Sequence, residues 1–339
     1  MTTPSGQISA QDIKNEFGEV NGTVPLGSYR VSQTKGELTL NIGDGVPGSG
    51  QISYDNMRNK RLNIVVDYYA DNANLNRAAN GDNTMNANTR YNQQNERVHV
   101  IGGLKSKPSN TSGHRVRIHV NQNLGGKKGE QTICALRTGN WDANTDLIVD
   151  VGGEGAIYGG GGDGGEGGNE LNNGQVGENG ASALGIDHNG TTVNVASGGL
   201  IRCGFGGGGG GGSGRQQDKG EDRRAGGGGG GGGQGYPGGS GGHAGTAGGG
   251  GGGSNGTAGD LTEAGEGGGG GSRAGQSFGA AGGEGGSQGE GADSGGNSQF
   301  GGGGGGAKGS AIRKANSGVL FTLNNNGTVT GDTNQTGVS

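Results

Sequence analysis

Gly204-Phe205-Gly206-Gly207-Gly208-Gly209-Gly210-Gly211-Gly212 opens the part of the chain that decides its fold. Further glycine runs follow at 226–233, 238–253, 267–271, 282–291 and 301–306, and one precedes it at 159–168. Polar stretches separate them, at 169–182, 213–225, 254–266, 272–281 and 292–300. Of the chain's 94 glycines, 73 fall between Val151 and Gly309. Glycine makes up 94/339 of the whole, roughly 28% against a usual 7%. With 26% hydrophobic and 4% aromatic residues, the composition taken as one number is that of a disordered chain. The uneven placement argues instead for an ordinary N-terminal part and a C-terminal part with different physics.

A glycine run has three fates. It can be a flexible coil. It can be collagen, which the absence of a strict Gly-X-Y period and only 5 prolines exclude. Or it can pack as polyproline-II-type helices, which have no internal hydrogen bonds and leave every backbone N–H and C=O for a neighbour. Such pairing works only where no side chain separates the backbones, so it selects glycine on each packed face. Runs of similar length, alternation with loop-like segments, and a return to the strand-like pattern of 319–330 favour the bundle.

Outside the glycine runs the signals are conventional. Ser9 caps a short helix with Asp12 in the capping-box position, and Ile13 and Phe17 share a face four residues apart. The phrase Ser5-Gly6-Gln7-Ile8-Ser9 recurs as Ser49-Gly50-Gln51-Ile52-Ser53 and announces a second capped turn. Strands are predicted at 62–69, 96–101, 115–121 and 145–151, more weakly at 132–136, and again within 191–203 and 319–330. In 115–120, Val116, Ile118 and Val120 alternate with Arg115, Arg117 and His119, the pattern of a half-buried strand. Residues 71–94 read as a long loop. The expected fold is mainly β: an N-terminal β-sandwich-like part with short capped helices, then a glycine-rich bundle of polyproline-II-type helices. The division is 1–50, an attachment segment; 51–151, the β-sandwich-like domain; 152–310, the bundle; and 311–339, a C-terminal strand and tail.

A formal charge of −5 argues against nucleic acid as a partner. No apolar run is long enough for membrane insertion, and residues 1–6 carry no secretory pattern, so synthesis in a cytoplasm is expected. Cys134 and Cys203 are expected as two free, buried thiols. Chemistry-bearing motifs are weak. GxGxxG means nothing inside glycine runs, no phosphate loop or nucleophile elbow occurs, and no carboxylate pair is placed for glycoside hydrolysis. His99, His114 and His119 lie on or near predicted strands, where His99 and His119 can come close, and structural or exposed histidine is expected there over a metal site; the carboxylates at 142–146 and 163–170 lack the ligand spacing of a calcium loop. No enzyme, metal or cofactor is expected.

The alternation of glycine runs and polar segments resembles the polyglycine-sandwich adhesins at the tips of T-even-like phage tail fibres, over roughly 152–309. The phrase from Ser5 to Gly18 also resembles the opening motif of many phage tail and fibre proteins. The resemblance implies a virion tail component with two kinds of partner: a host cell-surface receptor (glycan or outer-membrane protein) and other tail fibre or baseplate proteins. Phage fibres are often homotrimers. It places receptor contacts in the loops: Arg215, Lys219, Arg223 and Arg224 for acidic or phosphorylated glycans, with Arg273 beside them. The rare aromatics Tyr236, Phe278 and Phe300 either stack on sugars or plug bundle edges. Ile8, Ile13 and Phe17 are the candidate attachment face. Competing readings are a purely structural fibre connector, an ice-binding bundle like those of springtails, and a depolymerase.

Overall fold

The computed structural model describes residues 3–17, 26, 34–35, 38–39, 50–59, 63–68, 85–86, 98–101, 111–218, 221–247, 251–273, 276–288 and 290–338. The first elements are short. Helix α1 spans Ala10–Phe17, and β1 (Thr34–Lys35) pairs with β2 (Leu38–Thr39). The capping box forms as expected: Ser9 N donates to Asp12 Oδ2 at 2.8 Å, and Asp12 N donates to Ser9 Oγ at 3.2 Å. The Ser9 hydroxyl, donating to Asp12 Oδ2 at 2.6 Å, and then the Ser9 N–H hold the Asp12 carboxyl below its ordinary value. A second turn at Tyr54–Met57 repeats the device, with Ser53 N donating to Asn56 Oδ1 at 2.8 Å. The residues flanking the two phrases are bonded to each other: Asn59 N donates to Pro4 O at 3.1 Å and Thr3 Oγ1 to Met57 O, with Ile13 and Met57 buried.

The remaining strands are β3 (Asn63–Tyr68), β4 (Met85–Asn86), β5 (Val98–Ile101), β6 (Arg115–Val120), β7 (Asn123–Gly125), β8 (Cys134–Arg137), β9 (Asp146–Val151), β10 (Ala156–Tyr158), β11 (Ser182–Ile186), β12 (Thr191–Val195), β13 (Leu200–Arg202), β14 (Gly214–Asp218), β15 (Glu221–Ala225), β16 (Ser272–Arg273), β17 (Gln276–Ser277), β18 (Ile312–Lys314), β19 (Phe321–Asn325), β20 (Thr328–Thr330) and β21 (Gln335–Thr336). Three sheets carry most of them, in the orders β5-β3-β6-β9-β12-β19, β7-β10-β13-β20 and β4-β8-β11-β18-β21. Every neighbouring pair in these sheets is parallel except β3 with β5.

From β6 onward, apart from the separate hairpins β14–β15 and β16–β17, the chain visits the three sheets in strict rotation, so the strands wind as a three-sided parallel β-coil. This corrects the β-sandwich expectation. Alternation such as that of 115–120 reports one buried face; it does not report whether the neighbouring strand runs parallel or antiparallel. The coil's interior is built of register-matched apolar columns. Val66, Ile118, Val149, Val193 and Leu323 form one; Leu124, Ile157, Ile201 and Val329 a second; Leu136, Leu184 and Ile312 a third. All but Leu323 and Val329 are buried. Each buried Val, Leu or Ile contributes on the order of 1.5–3 kcal/mol. Strands on either side of residue 151 share these sheets, as β9 and β12 do.

Three successive connections leave the coil at one corner, between the second and third sheets: 126–133 after β7, 159–181 after β10, and the segment from Cys203 to Ala311 after β13. The last two carry the glycine runs. Among the described residues these runs carry no helix and no strand pairing beyond the isolated Ser287–Glu290 bridge, yet they are ordered by backbone bonds at every third residue. Gly162, Gly165 and Gly168 donate to Phe205, Gly208 and Gly211, each at 2.8 Å. Gly207 and Gly210 donate to Glu178 and Gln175 at 2.9 Å, in the opposite sense. The runs therefore go out from the coil and back in turn. Run 204–212 is surrounded: a Cβ on Gly206, Gly207 or Gly208 would meet the carbonyl oxygen of Gly306, Asp163 or Gly283 respectively, each at 2.1 Å. Three consecutive residues thus face three different runs. On run 159–168, the non-glycines Asp163 and Glu166 are three apart; Asp163 is half-buried and accepts from Ser240 N at 2.6 Å, and Glu166 is exposed.

Candidate binding surface at the outer end of the glycine-rich region

The outward and returning runs are joined, away from the coil, by polar connections that gather at one end. The most prominent is the hairpin β14–β15. Its register sets Arg215 opposite Arg224 and Gln216 opposite Arg223. All three arginines are half-buried, while Gln216 and Gln217 are exposed. Two like charges directly opposite on a hairpin repel, and Arg224 is drawn aside: its Nη1 lies 3.0 Å from Glu170 Oε2 in the neighbouring connection. The hairpin β16–β17 pairs Ser272 with Ser277 and Arg273 with Gln276. Lys219 lies outside the described residues.

The base of the β14–β15 hairpin is tied down closely. Ser213 is buried and donates from Oγ to Asn172 O at 2.9 Å. Phe300 N donates to Ser213 O at 3.1 Å, and Ser298 Oγ donates to Phe278 O. A Cβ on Gly214 would fall 1.8 Å from Phe278 O. Phe278 and Phe300 are half-buried and belong to this base. Asparagine side chains fasten the connections to the runs: Thr246 N donates to Asn169 Oδ1 at 2.6 Å, Gly301 N to Asn173 Oδ1 at 2.9 Å, and Gly302 N to Asn297 Oδ1 at 2.8 Å. The sequence reading passed over these asparagines; their signal was their place at the mouth of a glycine run, where an amide can stand in for a missing backbone partner.

Tyr236 sits at the other end, against the coil. Its ring meets the Tyr158 ring edge-on at 6.1 Å and 75°, and its carbonyl accepts from Gly126 N at 3.1 Å. The structure therefore gathers Arg215, Arg223, Arg224, Arg273, Phe278 and Phe300 and sets Tyr236 apart. Of the attachment candidates, Ile8 is half-buried, Ile13 is 1% exposed, and Phe17 closes α1 with its side chain outside the described residues. Both cysteines are buried and free. Burial raises the Cys134 thiol to about 12 and the Cys203 thiol to about 11. Among the described residues no cluster of His, Cys, Asp and Glu has metal-holding geometry, and no helix is long and apolar enough to cross a membrane.

No family model matches the chain, and no curated protein matches its sequence. Among solved structures it is similar to the gp37–gp38 adhesin tip complex of the bacteriophage S16 long tail fiber, with a TM-score of 0.31 and 18% identity over 74% of this chain and 78% of that one.

Proposed function

We propose that the protein is a non-enzymatic phage tail adhesin, located in the virion tail, that binds a host surface receptor through the outer end of its glycine-rich region. That region is a bundle of polyproline-II-type helices. Bonding at every third residue and three successive residues facing three neighbours both fit a helix of three residues per turn. At about 3.1 Å per residue, run 204–212 spans roughly 28 Å. Ordering glycine is entropically expensive, and the offset comes from inter-run N–H···O bonds and close Cα–H···O contacts. Of the four parts read from the sequence, we keep 1–50 as attachment segment, confine the bundle to the two connections 159–181 and 203–311, and assign β10 to β13 with 51–151 and 312–339 to the β-coil body.

One observation carries the functional reading: stiff, side-chain-poor rods bring polar, arginine-bearing connections together at the end most distant from the coil. A linker would not need to hold those loops in register, and a spacer would not need arginines there. Arg215 and Arg223 supply the charge for an acidic or phosphorylated glycan, and the face of α1 beside Ile8 and Phe17 remains the proposed side of contact with other tail fibre or baseplate proteins, whereas Ile13, at 1% exposed, is taken up by packing within the chain.

The test is binding of labelled full-length protein to susceptible and resistant host cells, beside a variant in which 215–224 is replaced by a two-residue turn. The expected result is binding to susceptible cells only, lost in the variant while its melting temperature holds. A well-folded protein that binds neither cell type would favour the fibre-connector reading.

A further inference from the structure

We propose that a second binding site, for a neutral oligosaccharide, lies on the outer face of the first sheet, in a groove of about 300 Å³. It is separate from the arginine-bearing end, and it does not depend on how that end is read.

The groove is made by strand register. His119 pairs with Asp150, Asp150 with Asn194, and Asn194 with Asn324, so four consecutive rungs of β6, β9, β12 and β19 set their outward side chains in one row. The row is internally bonded. Asn324 Nδ2 donates to Asn194 Oδ1 at 2.8 Å, and Asn194 Nδ2 donates to Asp150 Oδ1 at 2.7 Å. Arg117 Nη1 lies 2.6 Å from Asp150 Oδ2. Both Asp150 oxygens are thus occupied and its charge is neutralised, while each asparagine retains a second N–H and a second oxygen lone pair. Asn326 stands at the rim.

Such a row suits hydroxyl groups, each of which donates and accepts at once. It suits an anion poorly, because the arginine is already paired, and a cation poorly, because the carboxylate is. The rungs are about 4.8 Å apart, close to the length of a single sugar ring. A short glycan lying across the strands would meet one polar side chain of the row per ring, two of them the amides of Asn194 and Asn324. The row also accounts for two outward asparagines in mid-strand, where asparagine is disfavoured.

The experiment is isothermal titration of the full chain with cellotriose, maltotriose and chitotriose. At least one is expected to bind with a Kd on the order of 1 mM or tighter. Asn324 is exposed, and Asn324→Ala should weaken binding about tenfold, the effect of one hydrogen bond. Ala196→Trp, at the exposed groove wall, should abolish it with the melting temperature unchanged. Arg223→Glu at the outer end should leave it untouched. Absence of binding by all three sugars, binding that survives Ala196→Trp, or loss on Arg223→Glu instead would each overturn the proposal.

Discussion

The guanidinium carbon of Arg202 lies 5.0 Å from the centroid of the Tyr158 ring. This contact joins the last residue of β13 to the last residue of β10, where both strands hand over to glycine runs. Arg202 also donates from Nη2 to Leu261 O, which accepts a second bond from Gln234 Nε2 at 3.0 Å. The pair therefore fastens the inner turns of the glycine-rich region to the coil. Arg202→Ala should cost about 1–2 kcal/mol through the lost cation–π contact and the lost donor. Hydrogen exchange should show the loss at 234–237 and 260–263, with the amides of β9 and β12 unchanged. A uniform loss across the coil would mean that Arg202 supports the coil itself.

Glycine at a surrounded position and glycine at an open one should answer alanine differently. A Cβ on Gly230 would stand 2.0 Å from Gly208 O, whereas one on Gly304 meets nothing within 4 Å. Gly230→Ala should destabilise by about 3 kcal/mol or more, since backbone must move. Gly304→Ala should be neutral or stabilising by up to about 1 kcal/mol, because it restricts the unfolded chain. Urea midpoints of the two variants test the contrast. Equal responses would count against close backbone packing in the runs.

Much of this was legible beforehand, for reasons that differ by element. Val116, Ile118 and Val120 announced a buried face because alternation is a local property of a strand. Ser9 and Asp12 announced a helix start because the capping box is local too. The coil was not legible. Ala156–Tyr158, Leu200–Arg202 and Ile312–Lys314 are too short to show a period, and Leu184 pairs with Ile312 across the long glycine-rich connection. The Asn194–Asn324 bond joins residues 130 positions apart, so no motif window contains both. At the outer end, charge composition singled out the arginines. The position of Tyr236 depended on which turns face the coil, which follows from counting the outward and returning runs.

The buried thiols give a pH prediction. Burial raises Cys134 from an ordinary 9.0 to about 12 and Cys203 to about 11. The folded protein then holds protons that the unfolded chain releases, so their contribution to stability is complete below pH 9 and declines as pH rises from 9 towards 11 and 12. The melting temperature should fall over that window, and the fall should be shallower in the Cys134→Ala, Cys203→Ala double variant. Both thiols should resist alkylation at pH 8 in the folded protein and react fully in denaturant. Rapid labelling of the native chain would show that one of them is reached by solvent.

If the outer end recognises an acidic or phosphorylated glycan, its binding should be salt-sensitive in a residue-specific way. Raising ionic strength from 0.15 to 1 M shortens the screening length from about 8 to 3 Å, and cell binding by the unaltered protein should drop several-fold. Arg223 stands opposite Gln216, away from the Arg224–Glu170 ion pair in the register. Arg215→Glu with Arg223→Glu should therefore remove most binding and the salt response together. Glu170→Gln should leave stability within about 0.5 kcal/mol, as exposed pairs do, yet release Arg224 and weaken binding by a smaller factor through loss of hairpin orientation. Flow cytometry of labelled protein on host cells across a salt series reads all three. Binding that is strong, specific and indifferent to salt would point to an uncharged receptor met by Gln216, Gln217 and the half-buried phenylalanines, and would remove the arginines from the contact.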